Sequence, residues 1–235
     1  MCWSKNVSLG MAIIGAIFSY HSYNSIDKLW GLFVFYSTLM QIIHYVGYLF
    51  INDCKHPVNK MMAYLNYFHV AFQPTFFILG FSSLFRKYKV INQKEYDILI
   101  NFVYFSIIIG LLLISRIIPI NINKYYTYKL EKEGCVWCGK TCSFSGTKHI
   151  SFNIPLRNRP IYFTPSMFIH FALFYIPFIL LFKRNVSLLM LGIFITSFIP
   201  SILFKITPAE AATIWCSNSI IQILISFYLL TNKLI

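Results

Sequence analysis

The chain has 235 residues, of which 57% are hydrophobic, 19% aromatic and only 11% charged, with a mean hydropathy of +0.64. A soluble globule of this size cannot hide so much apolar surface, so the composition excludes a water-soluble domain and specifies an integral membrane protein. The formal charge of +13 is spread over nearly every loop instead of forming one stripe with stacking aromatics, which points to the bilayer surface and away from nucleic acid as the partner.

Seven apolar runs are long enough to cross a hydrocarbon layer of roughly 30 Å, at residues 7–23, 29–51, 61–85, 98–118, 165–182, 186–204 and 209–230. The expected fold is all-α, a seven-helix transmembrane bundle in which residues 1–235 form a single membrane domain. The first run follows Lys5 as a secretory signal would, but no small-residue cleavage site comes after it, so it reads as a retained helix. Its Gly10, Ala12, Gly15 and Ala16 let a neighbouring backbone approach.

The second and third runs carry the chemistry. Ser37, Gln41 and His44, then Asn66, His69 and Gln73, recur every three or four positions, so each set makes one polar stripe along an otherwise apolar helix. The connection 86–97 mixes basic and acidic residues with Tyr88 and Tyr96, as an interfacial anchor does. At the end of the fourth run Arg116 is expected to snorkel to lipid headgroups.

Residues 119–164 form the one sizeable extramembrane piece. It is too small for an independent core, and its expected form is a disulfide-stapled cap lying over the bundle between helices 4 and 5. Cys135, Cys138 and Cys142, with His149 further on, have a spacing open to disulfides, zinc or a redox pair. The fifth and seventh runs open on Thr164-Pro165 and Thr207-Pro208, a capping hydroxyl before a proline at the first helical position. Asn218 and Gln222, four apart, share one face of the seventh.

Sidedness follows from the loops. Short segments on the N-terminal face hold Lys5, Lys55, Lys60 and Lys205, whereas the opposite face holds Lys28, Arg86, Lys87, Lys89, Lys94, Lys183, Arg184 and Lys233. The positive-inside rule then puts the C-terminus in the cytosol and the N-terminus in the lumen or exterior. Cys2, Cys54, Cys135, Cys138 and Cys142 all fall on the N-terminal face, with Cys216 close to it, so all six cysteines are disulfide candidates in an oxidising compartment.

With this orientation His44, His69, His170 and Asn218 lie at a common depth in the outer half of the bundle. Polar side chains inside a membrane must face the bundle interior and find partners, so Gln41, His44, Asn66, His69, Gln73, His170 and Asn218 define the expected pocket, suited to a lipid or a membrane-protein partner. The alternative is a zinc site, with His44, His69 and His170 as ligands and an open position for water, as in a lipid hydrolase or amidase. Within the runs Glu210 is the one carboxylate, at the rim as a helix cap, and no lysine lies at mid-membrane, which argues against an aspartyl protease, a carboxylate proton relay and a retinal Schiff base.

Met1-Cys2-Trp3-Ser4, His69-Val70-Ala71-Phe72-Gln73-Pro74, Tyr162-Phe163-Thr164-Pro165-Ser166 leading to Ile169-His170-Phe171, and Glu210-Ala211-Ala212-Thr213-Ile214-Trp215-Cys216 together resemble a family of uncharacterised multi-pass membrane proteins from large DNA viruses and protists. The resemblance covers the whole chain, implies residence in a host-cell or virion membrane, and carries no function to transfer. More loosely, the span count is similar to that of the alkaline ceramidase and adiponectin-receptor superfamily, which holds zinc on membrane-embedded histidines. The chain departs from that superfamily at Trp215 to Gln222, where a histidine pair would stand, and it has no embedded aspartate. What that likeness implies is limited to a histidine site in the outer leaflet.

Overall fold

The computed structural model describes residues 4–117, 139–146, 149–156, 167–181, 183–203 and 208–232; for 167–168, 170–171, 197–198, 200–203 and 208–218 the backbone alone is described. Seven α-helices are present among them. They are α1 (Lys5–His21), α2 (Lys28–Leu49), α3 (Pro57–Lys87), α4 (Gln93–Ser115), α5 (Met167–Ile179), α6 (Arg184–Leu203) and α7 (Pro208–Thr231). Each coincides with one apolar run. Of these, α2, α3 and α4 are long and apolar enough to cross a membrane, and α4 is the most apolar, with a mean hydropathy of 2.5.

The helix starts follow local chemistry. Ser4, Asp27 and His56 cap α1, α2 and α3 by accepting from backbone N–H groups of the first turn, and Pro57 occupies the first position of α3. Asn92 and Glu95 form a reciprocal capping box at α4. Between α1 and α2 a π-helical turn, Ser22–Ile26, lets the chain double back so closely that a Cβ on Gly31 would lie 2.6 Å from the N and Cα of Tyr23. At about 1.5 Å per residue the 31 residues of α3 reach about 46 Å, more than the hydrocarbon layer, so its ends project as polar or basic turns.

The 119–164 segment departs from an all-α fold. Two strands, β1 (Cys142–Ser145) and β2 (Ile150–Asn153), pair antiparallel with Cys142 opposite Asn153 and Ser145 opposite Ile150. This hairpin does more than cap the bundle. Phe152, Ile154 and Leu156 are buried in one core with Met40, Ala63, Tyr67, Val70, Ala71, Ile109, Leu113 and Leu173, so β2 is wedged into the bundle end. The physical reason is the one that rules out an independent core: a short apolar strand buries its face only by borrowing helices.

Three ties hold the wedge. Cys54, after α2, is disulfide-bonded to Cys142. The side chain of Asn59, on the first turn of α3, donates to the carbonyls of Phe50 and Ser143 at 2.7 Å each and accepts from the Ser143 N–H at 2.8 Å. Asn52, at φ 66°, a conformation asparagine tolerates, exchanges two further hydrogen bonds with Ser145. The expected disulfide staple is thus present as Cys54–Cys142. Cys2, Cys135 and Cys138 lie outside the described residues, as does the side chain of Cys216.

The opposite end is a separate, aromatic core. Trp30, Phe33, Phe77, Phe81, Phe85, Phe174 and Phe178 interlock there, with edge-to-face contacts such as Trp30 on Phe81 at 5.2 Å and Phe77 on Phe174 at 5.2 Å. Around its rim Asp27 accepts from Ser83 Oγ at 2.7 Å, Lys87 donates to the Ile26 carbonyl, and Lys183 bridges Glu95 at 3.0 Å and the Val90 carbonyl at 2.8 Å.

Candidate functional site

The two polar stripes are both buried, as polar groups on otherwise apolar helices must be. On α2, Ser37, Gln41 and His44 face inward, and on α3, Asn59, Asn66, His69 and Gln73 do the same. The stripes meet where α2 packs on α3: His44 is fully buried, with Asn66 beside it and His69 close by. A third imidazole comes from the hairpin. His149, buried beside β2, sits edge-on to His44 with ring centroids 5.2 Å apart and tilts over Tyr48 at 6.2 Å.

Hydrogen bonding in this cluster is incomplete. Nε2 of His69 on α3 is buried without a hydrogen-bond partner, and the His44 ring on α2 lies against the Asn66 amide of α3 without a bond of good geometry between them. Each such group costs about 1–3 kcal/mol relative to a satisfied one.

His69, though buried, also borders a groove. With Tyr36, Leu39, Ile42, Ile43, Val46, Met62, Leu65, Phe68 and Phe72 it lines a groove of about 400 Å³ between α2 and α3. Tyr36 closes the polar end, its ring stacked on His69 at 4.2 Å and on Phe76 at 3.9 Å. The Tyr36 hydroxyl donates to the His69 carbonyl at 2.6 Å. No charged residue lines the groove.

Below the cluster, Ser37, Gln73, Ser219 and Gln222 meet Phe33, Phe77 and Phe81 around a void of about 20 Å³, room for a single water, where the polar stripes end on the aromatic core. Gln222 donates to Thr196 Oγ1 at 3.0 Å, joining α7 to α6.

Of the residues singled out in the sequence, Gln41, His44, Asn66, His69 and Gln73 are thus gathered on the inner faces of α2 and α3. His170 lies on α5 and Asn218 on α7, with side chains outside the described set. Among the described residues no three His, Cys, Asp or Glu side chains come together as a metal site. Arg116 does not snorkel: it is buried at the end of α4, within electrostatic reach of Tyr67. His149 and Tyr36 are the contributors the stripes did not reveal. A signal for the hairpin existed in Ile150-Ser151-Phe152-Asn153-Ile154, whose alternation has the period of a strand.

Comparison with known proteins gives a family and no function. No curated protein and no solved structure matches the chain, and no link to ceramidases, adiponectin receptors or viruses comes with the match that is found. That match is to the model of the "Family of unknown function (DUF5765)" and covers residues 6–234, from the first turn of α1 to beyond the end of α7. Over that extent, the chain belongs to the DUF5765 family.

Proposed function

We propose that the chain is a seven-span membrane protein, N-terminus outside and C-terminus cytosolic, that binds a lipid chain in the groove between α2 and α3. The observation that carries the reading is the groove itself, about 400 Å³, uncharged and lined almost wholly by aliphatic and aromatic side chains of α2 and α3. Ile42, Leu65 and Phe68 on the groove walls are each about two-fifths exposed, and in a bilayer their neighbours are acyl chains.

Topology supports the same reading. The loop after α2 and the hairpin are tied at one end, while the basic residues Lys28, Lys87, Lys183 and Arg184 gather with the connections at the other. Among the described residues the polar stripes end at Phe33, Phe77 and Phe81, around a void with room for a single water. A zinc-dependent hydrolase on His44, His69 and His170 is the alternative; among the described residues no three His, Cys, Asp or Glu side chains come together to hold a metal.

The test is native mass spectrometry of protein released from mild detergent. Wild type is expected to retain one lipid per chain, and Ile43→Trp, which fills the groove, to lose it. Absence of retained lipid in the wild type, or equal retention by the variant, would overturn the reading.

A further inference from the structure

The end of the bundle away from the hairpin carries more positive charge than its own carboxylates balance. Two lysine contacts bring the connections of that end together: Lys87 donates to the Ile26 carbonyl, and Lys183 donates to the Val90 carbonyl. The first places Lys28 and Arg86 side by side in space, and the second sets Arg184 next to Lys89. Lys94 follows, since its neighbour Glu95 pairs with Lys183. The ends of α2, α3, α4 and α6 thus form one arc on which these five cations are exposed.

Three carboxylates lie on the same arc, and each is already engaged. Asp27 accepts from the Trp30 N–H and Ser83 Oγ, Glu95 from the Asn92 N–H and Lys183, and Asp97 from Gln93 at 2.7 Å. Lys28, Lys89, Lys94 and Arg184 pair with no carboxylate among the described residues, where Lys183–Glu95 is the one ion pair. The depth of the arc is marked by tyrosine. The Arg86 guanidinium stands 4.6 Å over the ring of Tyr96, and both Tyr88 and Tyr96 are half-buried, as rings at the headgroup level are. Surplus cations at that level meet lipid phosphates and not bulk water.

We infer that this arc is a binding site for anionic phospholipids of the bilayer, of the phosphatidylserine type, held by Lys28, Lys89, Lys94 and Arg184. The inference rests on the membrane-spanning reading above and is independent of the groove. In the proposed orientation the arc faces the cytosolic leaflet, which is where anionic lipids are concentrated. A zwitterionic headgroup presents its own ammonium to the arc and gains less. The acyl chains anchor the lipid at the interface, so its headgroup meets the arc at a local concentration that a soluble anion lacks.

The experiment is a competition between dioleoylphosphatidylserine and dioleoylphosphatidylcholine on the intact protein in mild detergent, read by native mass spectrometry. It is run on wild type and on Ile43→Trp, which is expected to lose the groove lipid and keep this one. Both proteins are expected to retain phosphatidylserine about tenfold more strongly, and raised ionic strength to shrink the preference. Lys28→Gln, Lys89→Gln, Lys94→Gln and Arg184→Gln together should bring the ratio within about twofold, with phosphatidylcholine retention unchanged. Lys55→Gln, Lys60→Gln and Lys140→Gln, exposed cations of the hairpin end, should leave it intact. Loss of the preference in that second variant would assign it to total charge and overturn the site. Equal retention of the two lipids by wild type overturns the inference alone, because an apolar groove does not read headgroups. A preference present in wild type and absent in Ile43→Trp moves the selection to the groove and also overturns it. Displacement of the bound lipid by soluble glycerophosphoserine would make the arc a site for free anions instead. Should the fourfold variant not yield monodisperse protein, Lys89→Gln with Arg184→Gln serves in its place, with a smaller fall in the ratio expected and an unchanged ratio counting against the site.

Discussion

At the residue scale, the side chains that matter are those whose burial their chemistry resists. His44, Asn66 and His69 were legible because polar residues in an apolar helix have to turn inward, and their spacing of three and four put them on one face. His149 was not legible as their neighbour, since it reaches His44 from a loop beyond α4 through pairing that no local pattern encodes. Glu95 allows a prediction outside the apolar stretches. Burial works against its charged form, but the Asn92 backbone N–H and the Lys183 ammonium together outweigh burial and hold the carboxyl below its ordinary value of 4.5. A value lowered on folding stabilises the fold above the unfolded pKa, and that contribution is lost as pH falls through the folded value. The thermal midpoint in detergent should therefore fall on acidification below about pH 4.5 by less in Glu95→Gln than in wild type. Identical acid limbs would show that the Lys183 pair contributes nothing.

At the element scale, the helices formed where the apolar runs predicted, and the hairpin was the departure. Helix existence is a local matter, decided by apolar length and by caps such as Asn92 with Glu95, a signal present in the sequence at α4. The hairpin depends on partners: β2 packs against α2, α3 and α7, and Phe152 on it, with Ile154 and Leu156 just after it, is buried in the helices' core. The disulfide fixes this wedge across a separation of 88 residues. Replacing both cysteines, Cys54→Ser with Cys142→Ser, should cost about 2–4 kcal/mol, most of the range a bond closing so long a loop supplies. The check is denaturation in detergent against the wild type with and without reductant. Reduced wild type should match the double variant, and a variant as stable as oxidised wild type would show that Asn52 and Asn59 hold the hairpin unaided.

At the scale of the whole molecule, the bundle is divided along its length. The hairpin end holds disulfide, asparagine ties and the polar cluster, while the other end holds the aromatic core and a basic rim. The proposed orientation, with the hairpin end outside, is testable by glycosylation mapping. An Asn-X-Ser acceptor built into residues 139–146 should be modified on insertion into microsomes, and one appended after residue 232 should not. The reverse pattern would turn the topology over and place Cys54 and Cys142 in a reducing compartment. The sequence by itself determined the positions of seven helices, three of them long and apolar enough to cross a membrane, and the inward face of two of them, because hydrophobic length and helical period act over a few turns. Tertiary structure alone decided that Cys54 pairs with Cys142, that β2 enters the core, that Arg116 is buried, and that His69 stands between groove and polar cluster. Those facts depend on which faces of distant segments are brought together, and packing between elements is a property of the whole chain that no local pattern carries.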